Sequence, residues 1–359
     1  MSDAPARRVV PWWKQRGWQL GMGAAIVVAV VGVALALSGG GDGDETVEGS
    51  TTSGASTTTG ATPPIAPLTG LPDPSRAVLT RAALSAKIGN NPDARPQQGL
   101  EAADVVYEEE VEGDITRFLA VFHSQAPEAF GPIRSARSFD PEILWPIKGL
   151  FMYAGAASRN VPLVRAAPVQ SFNETEAGDA VFLDRSFSNG QRPNILFGRA
   201  EAFWAKANDH TPPQPLFRYL PEGGAFAGEA VRAVTIPVGG GRYQPTFTWD
   251  PARDMWLRSM GGEAHVARSG EQLTTDNVVI QFVAGSGPQT SLIGEGEVVV
   301  LADGVLVRGR WSRPDRESPT RWLDAAGDDL LIPPGRTWIV LPHQGGSLVI
   351  EGAATTSTS

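Results

Sequence analysis

The sequence predicts an α+β protein in two unequal parts: a mixed α/β N-terminal domain over residues 68–225, then a smaller, mostly β C-terminal domain over 230–350. One transmembrane helix and a disordered linker precede them. Three observations predict this. An uncharged apolar run fills residues 20–38, and a stretch dominated by Gly, Ser and Thr follows it. Beyond that the texture changes near residue 225, from strands mixed with helix-like stretches to short Val, Ile, Leu, Trp and Thr runs punctuated by Gly, Pro and Asp.

From Leu20 to Ser38 the chain reads LGMGAAIVVAVVGVALALS. At ~1.5 Å rise per residue this helix comes close to the ~30 Å hydrocarbon core of a bilayer. The segment 1–19 holds Arg7, Arg8, Lys14 and Arg16 against Asp3, whereas Asp42, Asp44, Glu45 and Glu48 follow the run. The positive-inside rule therefore predicts a single-pass membrane protein with a cytoplasmic N-terminus and extracytoplasmic domains. A cleaved signal peptide, with Ala34-Leu35-Ala36 at the cleavage spacing, is the competing reading, and it too exports the remainder. Residues 39–67 hold almost no bulky apolar side chain and are predicted to be a flexible tether with an r.m.s. reach of about 30 Å. Residues 351–359 read as a loose tail.

Composition excludes several classes. The chain has no cysteine, so disulfides, thiolate nucleophiles and Cys-ligated metals are out. Beyond residue 38 there are 26 bases against 38 acids, a balance unsuited to nucleic acid or to lying flat on anionic lipid. His123, His210, His265 and His343 show no metal-ligand spacing, and neither a Gly-x-Ser-x-Gly elbow nor a phosphate-binding glycine loop occurs. Asn90, Asn91 and Asp93 lack the alternation of a calcium loop and read as a turn. No metal and no cofactor is expected.

Within 68–225, helices are predicted over Glu142 to Met152 and Ala200 to Asn208, the latter stopped by His210-Thr211-Pro212-Pro213. In the β-rich part, TFTW, MWLRSM, NVVIQFV, EVVVLADGVLVRGRW and TWIVLP read as strands, and Asp303-Gly304 marks a two-residue hairpin turn. Trp249, Trp256, Trp311, Trp322 and Trp338 are predicted as core and hairpin pairs, with Trp322 the one in polar, loop-like surroundings. In DVVYEEEVEGDITRFLAVFH, a two-residue turn at Gly113-Asp114 places Glu110 opposite Arg117, Glu109 opposite Phe118 and Glu108 opposite Leu119. Glu108, Glu110 and Glu112 then share a face with Arg117, and Glu109 falls on the apolar face, where a carboxylate needs a basic partner or a raised pKa.

The words ARPQQGL (94–100), ADVVYEE (103–109), VEGDITRFLAVF (111–122) and GPIRSARSFD (131–140) follow one another, and LTTDNVVIQFV, GVLVRGRW and PPGRTWIVLP follow in the β-rich part. In these words the chain resembles the YerB-like family of bacterial envelope proteins, which carry the N- and C-terminal parts of domain of unknown function 3048 and are described as lipoproteins. The resemblance covers nearly all of the predicted exported region. It implies a two-part exported module and no established activity. Where such proteins carry a lipid-modified Cys, this chain reads LALSGGG, so its helix is the expected substitute tether. Glu110 and Asp114 depart from the family's YEE-L-VEGG, and Arg192-Pro193-Asn194 stands where many members have Pro-His-Asn.

The densest candidate constellation is GPIRSARSFD. Arg134, Arg137 and Asp140 are spaced three apart, so that on one helical turn two guanidinium forks would point in similar directions and suit a carboxylate or phosphate. With Arg117, Glu108, Glu109 and Asn194 they form the predicted ligand-binding set. The function expected is a non-catalytic binding or scaffold module for an anionic cell-wall component or a membrane-bound envelope protein. The alternatives are a scaffold of arginines tying down Glu108, Glu109 and Glu112, or a wall hydrolase with Glu109 and Asp140 as its two acids. Glu108 and Glu109, being neighbours on a strand, cannot flank one glycosidic bond.

Overall fold

The computed structural model describes residues 62–285 and 290–352. The predicted cytoplasmic segment, the transmembrane helix 20–38, the tether as far as residue 61 and the tail from 353 lie outside the described residues. Among the described residues, no helix is long and apolar enough to cross a membrane.

The strands are β1 (Leu84–Gly89), β2 (Val105–Val111), β3 (Ile115–Phe122), β4 (Leu150–Met152), β5 (Gln170–Phe172), β6 (Val181–Leu183), β7 (Leu196–Gly198), β8 (Glu229–Thr235) and β9 (Pro245–Asp250). Then come β10 (Met255–Met260), β11 (Glu263–Ala264), β12 (Thr274–Thr275), β13 (Asn277–Gln281), β14 (Gly294–Ala302), β15 (Val305–Arg313), β16 (Arg321–Leu323), β17 (Thr337–Leu341) and β18 (Val349–Gly352). Among the described residues there are four short α-helices: α1 (Asp140–Ile147), α2 (Val161–Ala166), α3 (Glu174–Ala177) and α4 (Ala200–Trp204).

The first part is mixed and the second mostly β, as predicted, but the two are not separately packed. β17, from the second part, lies between β13 and β2 and runs parallel to both, so one sheet continues from β11 through β15, β14, β13, β17, β2 and β3 to β5. The reason is legible in the strands themselves. NVVIQ and TWIVL are buried at every position, which only a strand covered on both faces requires. Val106, Phe118, Phe122, Ile280, Trp338 and Val340 pack into one core, and Val105, Leu119, Val121, Val279, Ile339 and Leu341 into the other. Helix α1 covers the second face with Ile143, Leu144 and Ile147, while α4 adds Phe203 and Trp204 to the first.

Several boundaries differ from the sequence reading. The tether is docked before its predicted end: Ala66 is buried and its N–H donates to the Leu71 carbonyl, while Asp73 N–H reaches back to Pro64. The tail begins later than expected, since β18 pairs with β8 through Gly352. Helix α1 starts at Asp140 and ends at Ile147, because Lys148 (φ 61°) and Gly149 (φ 79°) turn left-handed and release the chain into β4. Helix α4 stops at Trp204, four residues before the predicted end. The Asp303-Gly304 turn holds, with Ala302 opposite Val305 and both central residues at positive φ. Trp322, whose sequence surroundings read as loop-like, lies in β16 and is buried, stacked on Phe217 with ring centroids 4.8 Å apart.

The hairpin β2–β3 is shifted by one residue. Its loop is three residues long, Glu112-Gly113-Asp114, and pairs Val111 with Ile115, so that Glu109 faces Arg117 and Glu108 faces Phe118. Gly113 and Asp114 are both at positive φ. A one-residue slip exchanges faces. Arg117 therefore joins Glu109, and Glu108 joins Phe118 and Phe122 in the other core.

Candidate functional site

Two buried charge clusters lie back to back on β2. Glu108 points into the first core, where Arg258 of β10 donates from Nη2 to both carboxylate oxygens at 2.8 and 2.9 Å. Thr116 Oγ1 and Trp338 Nε1 donate to the same carboxylate at 3.0 and 3.2 Å. The guanidinium lies 4.8 Å from the Trp338 ring and 5.4 Å from that of Phe118. His265 accepts from Arg258 at Nδ1 and donates from Nε2 to Gln97 at 2.8 Å, so the ring is held in the Nε2–H tautomer. This cluster joins the two parts of the chain.

Glu109 points the other way and pairs with Lys87 of β1, whose ammonium also meets Asp140 at 2.7 Å. All three are sealed, at 1%, 0% and 0% exposure. Burial lowers the Lys87 pKa to about 8 against the pull of Asp140. Asp140 also accepts from the Arg137 backbone N–H at 2.7 Å, which ties the start of α1 to the cluster. Sealed around one lysine, Glu109 and Asp140 do not flank an open cleft, and the geometry gives the two-acid hydrolase no support.

The Arg word is an extended strip and not a helical turn. Ile133 bridges to Ile88 of β1, Arg134 N–H donates to the Lys87 carbonyl at 2.9 Å, and on the other side Ala154 N–H donates to Arg134 at 2.9 Å. Arg117 is buried beneath it, donates to the Ser135 carbonyl at 2.9 Å, and is pushed down to about 9 by burial and by Arg137 and Arg134 nearby. Arg137 pairs with Glu112 at 2.5 Å. Glu110, predicted to face Arg117, instead meets His343 at 3.1 Å.

Arg134 differs from its neighbours. Its Nη1 donates to two neutral amide oxygens, Asn91 Oδ1 at 2.8 Å and Asn194 Oδ1 at 2.5 Å, and no carboxylate pairs with it among the described residues. Its Nε–Nη2 edge has no hydrogen-bond partner among them. Its stem passes over Gly89, where an added Cβ would sit 2.9 Å from Arg134 Cγ. Asn194 arrives because Ile133 N–H donates to the Leu196 carbonyl at 2.7 Å, which lays the 194–196 segment beside the strip. The half-buried guanidinium is thus anchored at one nitrogen with its bidentate edge unpaired among the described residues, in a cluster with three other cations (Lys87, Arg117, Arg137) and three acids (Glu109, Glu112, Asp140).

Sequence reasoning missed Lys87, Asn91, Arg258, His265 and Gln97. Two consecutive glutamates in a strand buried on both faces require one cation on each side, and that was the available signal.

Histidine burial has a consequence for pH dependence. Burial lowers His123 to about 4 and holds His265, which also faces Arg258 and Arg95, well below the usual range. Both therefore stay neutral in the fold and bind protons in the unfolded chain first. Their contribution is fully present above about pH 6.5 and is lost as pH falls toward the folded values, by about 1.4 kcal/mol per unit for each. Urea unfolding should show a lower midpoint at pH 5 than at pH 7. Asp104, raised by its own burial, acts in the opposite sense. The double variant His123→Gln/His265→Gln isolates the histidine share and should flatten the profile between pH 6.5 and 5.

A mixed sheet shared by two unequal parts, with buried ion pairs on both faces of one strand and an Arg-rich strip beside β1, defines a two-part α+β module. Residues 68–213 match the DUF3048 N-terminal domain and residues 234–339 the DUF3048 C-terminal domain, each described as a protein of unknown function. The chain belongs to this family. It is 37% identical over 305 residues to "Putative lipoprotein YerB" of Bacillus subtilis (strain 168), covering 80% of this chain and 89% of that protein. The crystal structure of YerB from Bacillus subtilis superposes with a TM-score of 0.67 over 79% of this chain and 99% of that one. Pairing residues by position in space, that superposition gives 22% identity and bears on the fold alone.

Proposed function

We propose that this protein is an extracytoplasmic cell-envelope module, held to the membrane by a single N-terminal helix over residues 20–38, that binds an anionic group of a wall polymer or envelope partner through Arg134. The single observation that carries the reading is the Arg134 guanidinium, anchored by Asn91 and Asn194 at Nη1 with its Nε–Nη2 edge unpaired among the described residues. That edge matches a carboxylate or phosphate in bidentate geometry, and preorganisation lowers the entropy lost on binding. Asn194 is the orienting residue, and Arg137 and Arg117 raise the local positive potential. The lipoprotein designation of YerB supports the envelope location. The absence of cysteine favours the apolar run as the tether in this chain.

Co-sedimentation of the full chain in detergent with isolated cell walls tests the reading. Arg134→Ala should weaken binding by roughly ten- to a hundredfold, the equivalent of ~1.5–3 kcal/mol for a lost charged hydrogen bond. Arg137→Ala, which frees Glu112, should do less. Unchanged retention of a folded Arg134→Ala variant would rule the site out.

A further inference from the structure

The two buried glutamates of β2 are not equally provided for. Glu108 accepts from Arg258, Thr116 and Trp338, as a buried ion pair requires. Glu109 has no such set: apart from direct contact with the Lys87 ammonium, neither of its oxygens has a hydrogen-bond partner among the described residues. Lys87 Nζ also meets Asp140 Oδ1 at 2.7 Å, lies 5.6 Å from the Phe139 ring and is sealed from water. A buried carboxylate is ordinarily kept ionised by several donors. This one has a single polar neighbour, and that neighbour is an amine.

An amine held against a carboxyl group in a dry core can shed two buried charges by proton transfer or by condensation. Proton transfer leaves a neutral amine touching a carboxylic acid, and burial already lowers the Lys87 pKa to about 8. A desolvated lysine fixed against its target is an activated nucleophile. We propose that Lys87 and Glu109 condense to an intramolecular amide, with Asp140 as the base that carries the proton. Lys87 Nζ bonds to Glu109 Cδ, one Cδ–Oε bond breaks, and that oxygen leaves with two of the ammonium protons as one water. Asp140 takes a proton from Nζ and returns it to the departing oxygen, and the Arg137 N–H, 2.7 Å from Oδ2, orients it for this. One cation and one anion are lost together, so the charge stays balanced, with Asp140 and Arg117 remaining as neighbours of opposite sign. Lys87 lies opposite Leu119 and Glu109 opposite Arg117, so the link ties β1 to β2 across β3. It closes the loop 87–109 in a chain that has no cysteine, constraining the unfolded state as a disulfide would.

Mass spectrometry of the full chain, folded in detergent, tests this. The parent protein should weigh one water less than its sequence, and Lys87→Arg should have its full mass. Cleavage before aspartates should release residues 73–92 joined to residues 104–113, again less one water. Asp140→Asn should link at least roughly tenfold more slowly, and a folded Asp140→Asn that links as fast as the parent would overturn Asp140 as the base. A parent protein of full mass, separate 73–92 and 104–113 fragments, or a link from 73–92 to the Asp140 fragment 140–178 overturns the inference. The fragments are read from the parent protein, so the test does not depend on any variant folding.

Discussion

Replacing Arg258 with Met should destabilise the protein by about 3–5 kcal/mol, because it leaves Glu108 ionised and sealed in an apolar core. Thr116 and Trp338 still donate to the carboxylate but supply no counter-charge. Against a typical total of ~5–15 kcal/mol, that is a large fraction. Glu108→Gln should also be destabilising, since it leaves the buried Arg258 guanidinium without its counter-ion. The double variant should cost much less than the two single changes together, because each removes the other's stranded charge. Urea unfolding of the four forms measures this, and additive losses would show that Arg258 and Glu108 act independently. The pair joins β10 to β2, so the loss is also expected to loosen the second part from the first.

Lys87→Met should be of similar size, about 3–5 kcal/mol, for a different reason. It removes one cation from between two buried acids, and Glu109 and Asp140 would then repel each other in a low-dielectric site. One of the two must hold a proton in the folded variant. A carboxyl whose folded pKa is raised contributes stability that is fully present below its unfolded value of ~4 and lost as pH rises through the folded value. The deficit of Lys87→Met relative to the parent should therefore shrink from pH 7 toward pH 4.5. Adding Glu109→Gln should recover much of the loss at pH 7. A deficit that did not change with pH would show that packing, not charge, is what Lys87 supplies.

These two clusters show what was legible and what was not. The Asp303-Gly304 turn was readable because a two-residue loop with both residues at positive φ admits few sequences. Gly113-Asp114 carries a similar signature, yet here Glu112 joins the loop, and the one-residue slip exchanged the partners of Glu108 and Glu109. Nothing local distinguishes the two loop lengths. The buried acid on an apolar face was anticipated, but both Glu108 and Glu109 turned out to be such acids. Their cations come from β1 and β10, tens to well over a hundred residues away in sequence, and lone charges such as Lys87 in LSAKIG read as solvent-facing when strand order is unknown. The Arg word was found as a composition anomaly. Its extended form depends on pairing with β1 and with residues 154–156, contacts that spacing alone does not reveal.

The most direct measurement of the proposed role is NMR of the arginine Nε–H resonances of the full chain in detergent while soluble anionic wall fragments are added. Arg134, with its Nε–Nη2 edge unpaired among the described residues, should shift and saturate with the fragments, while Arg258, sealed against Glu108, should stay fixed. Fragments that bind the protein and leave the Arg134 resonance unmoved would contradict Arg134 as the point of recognition.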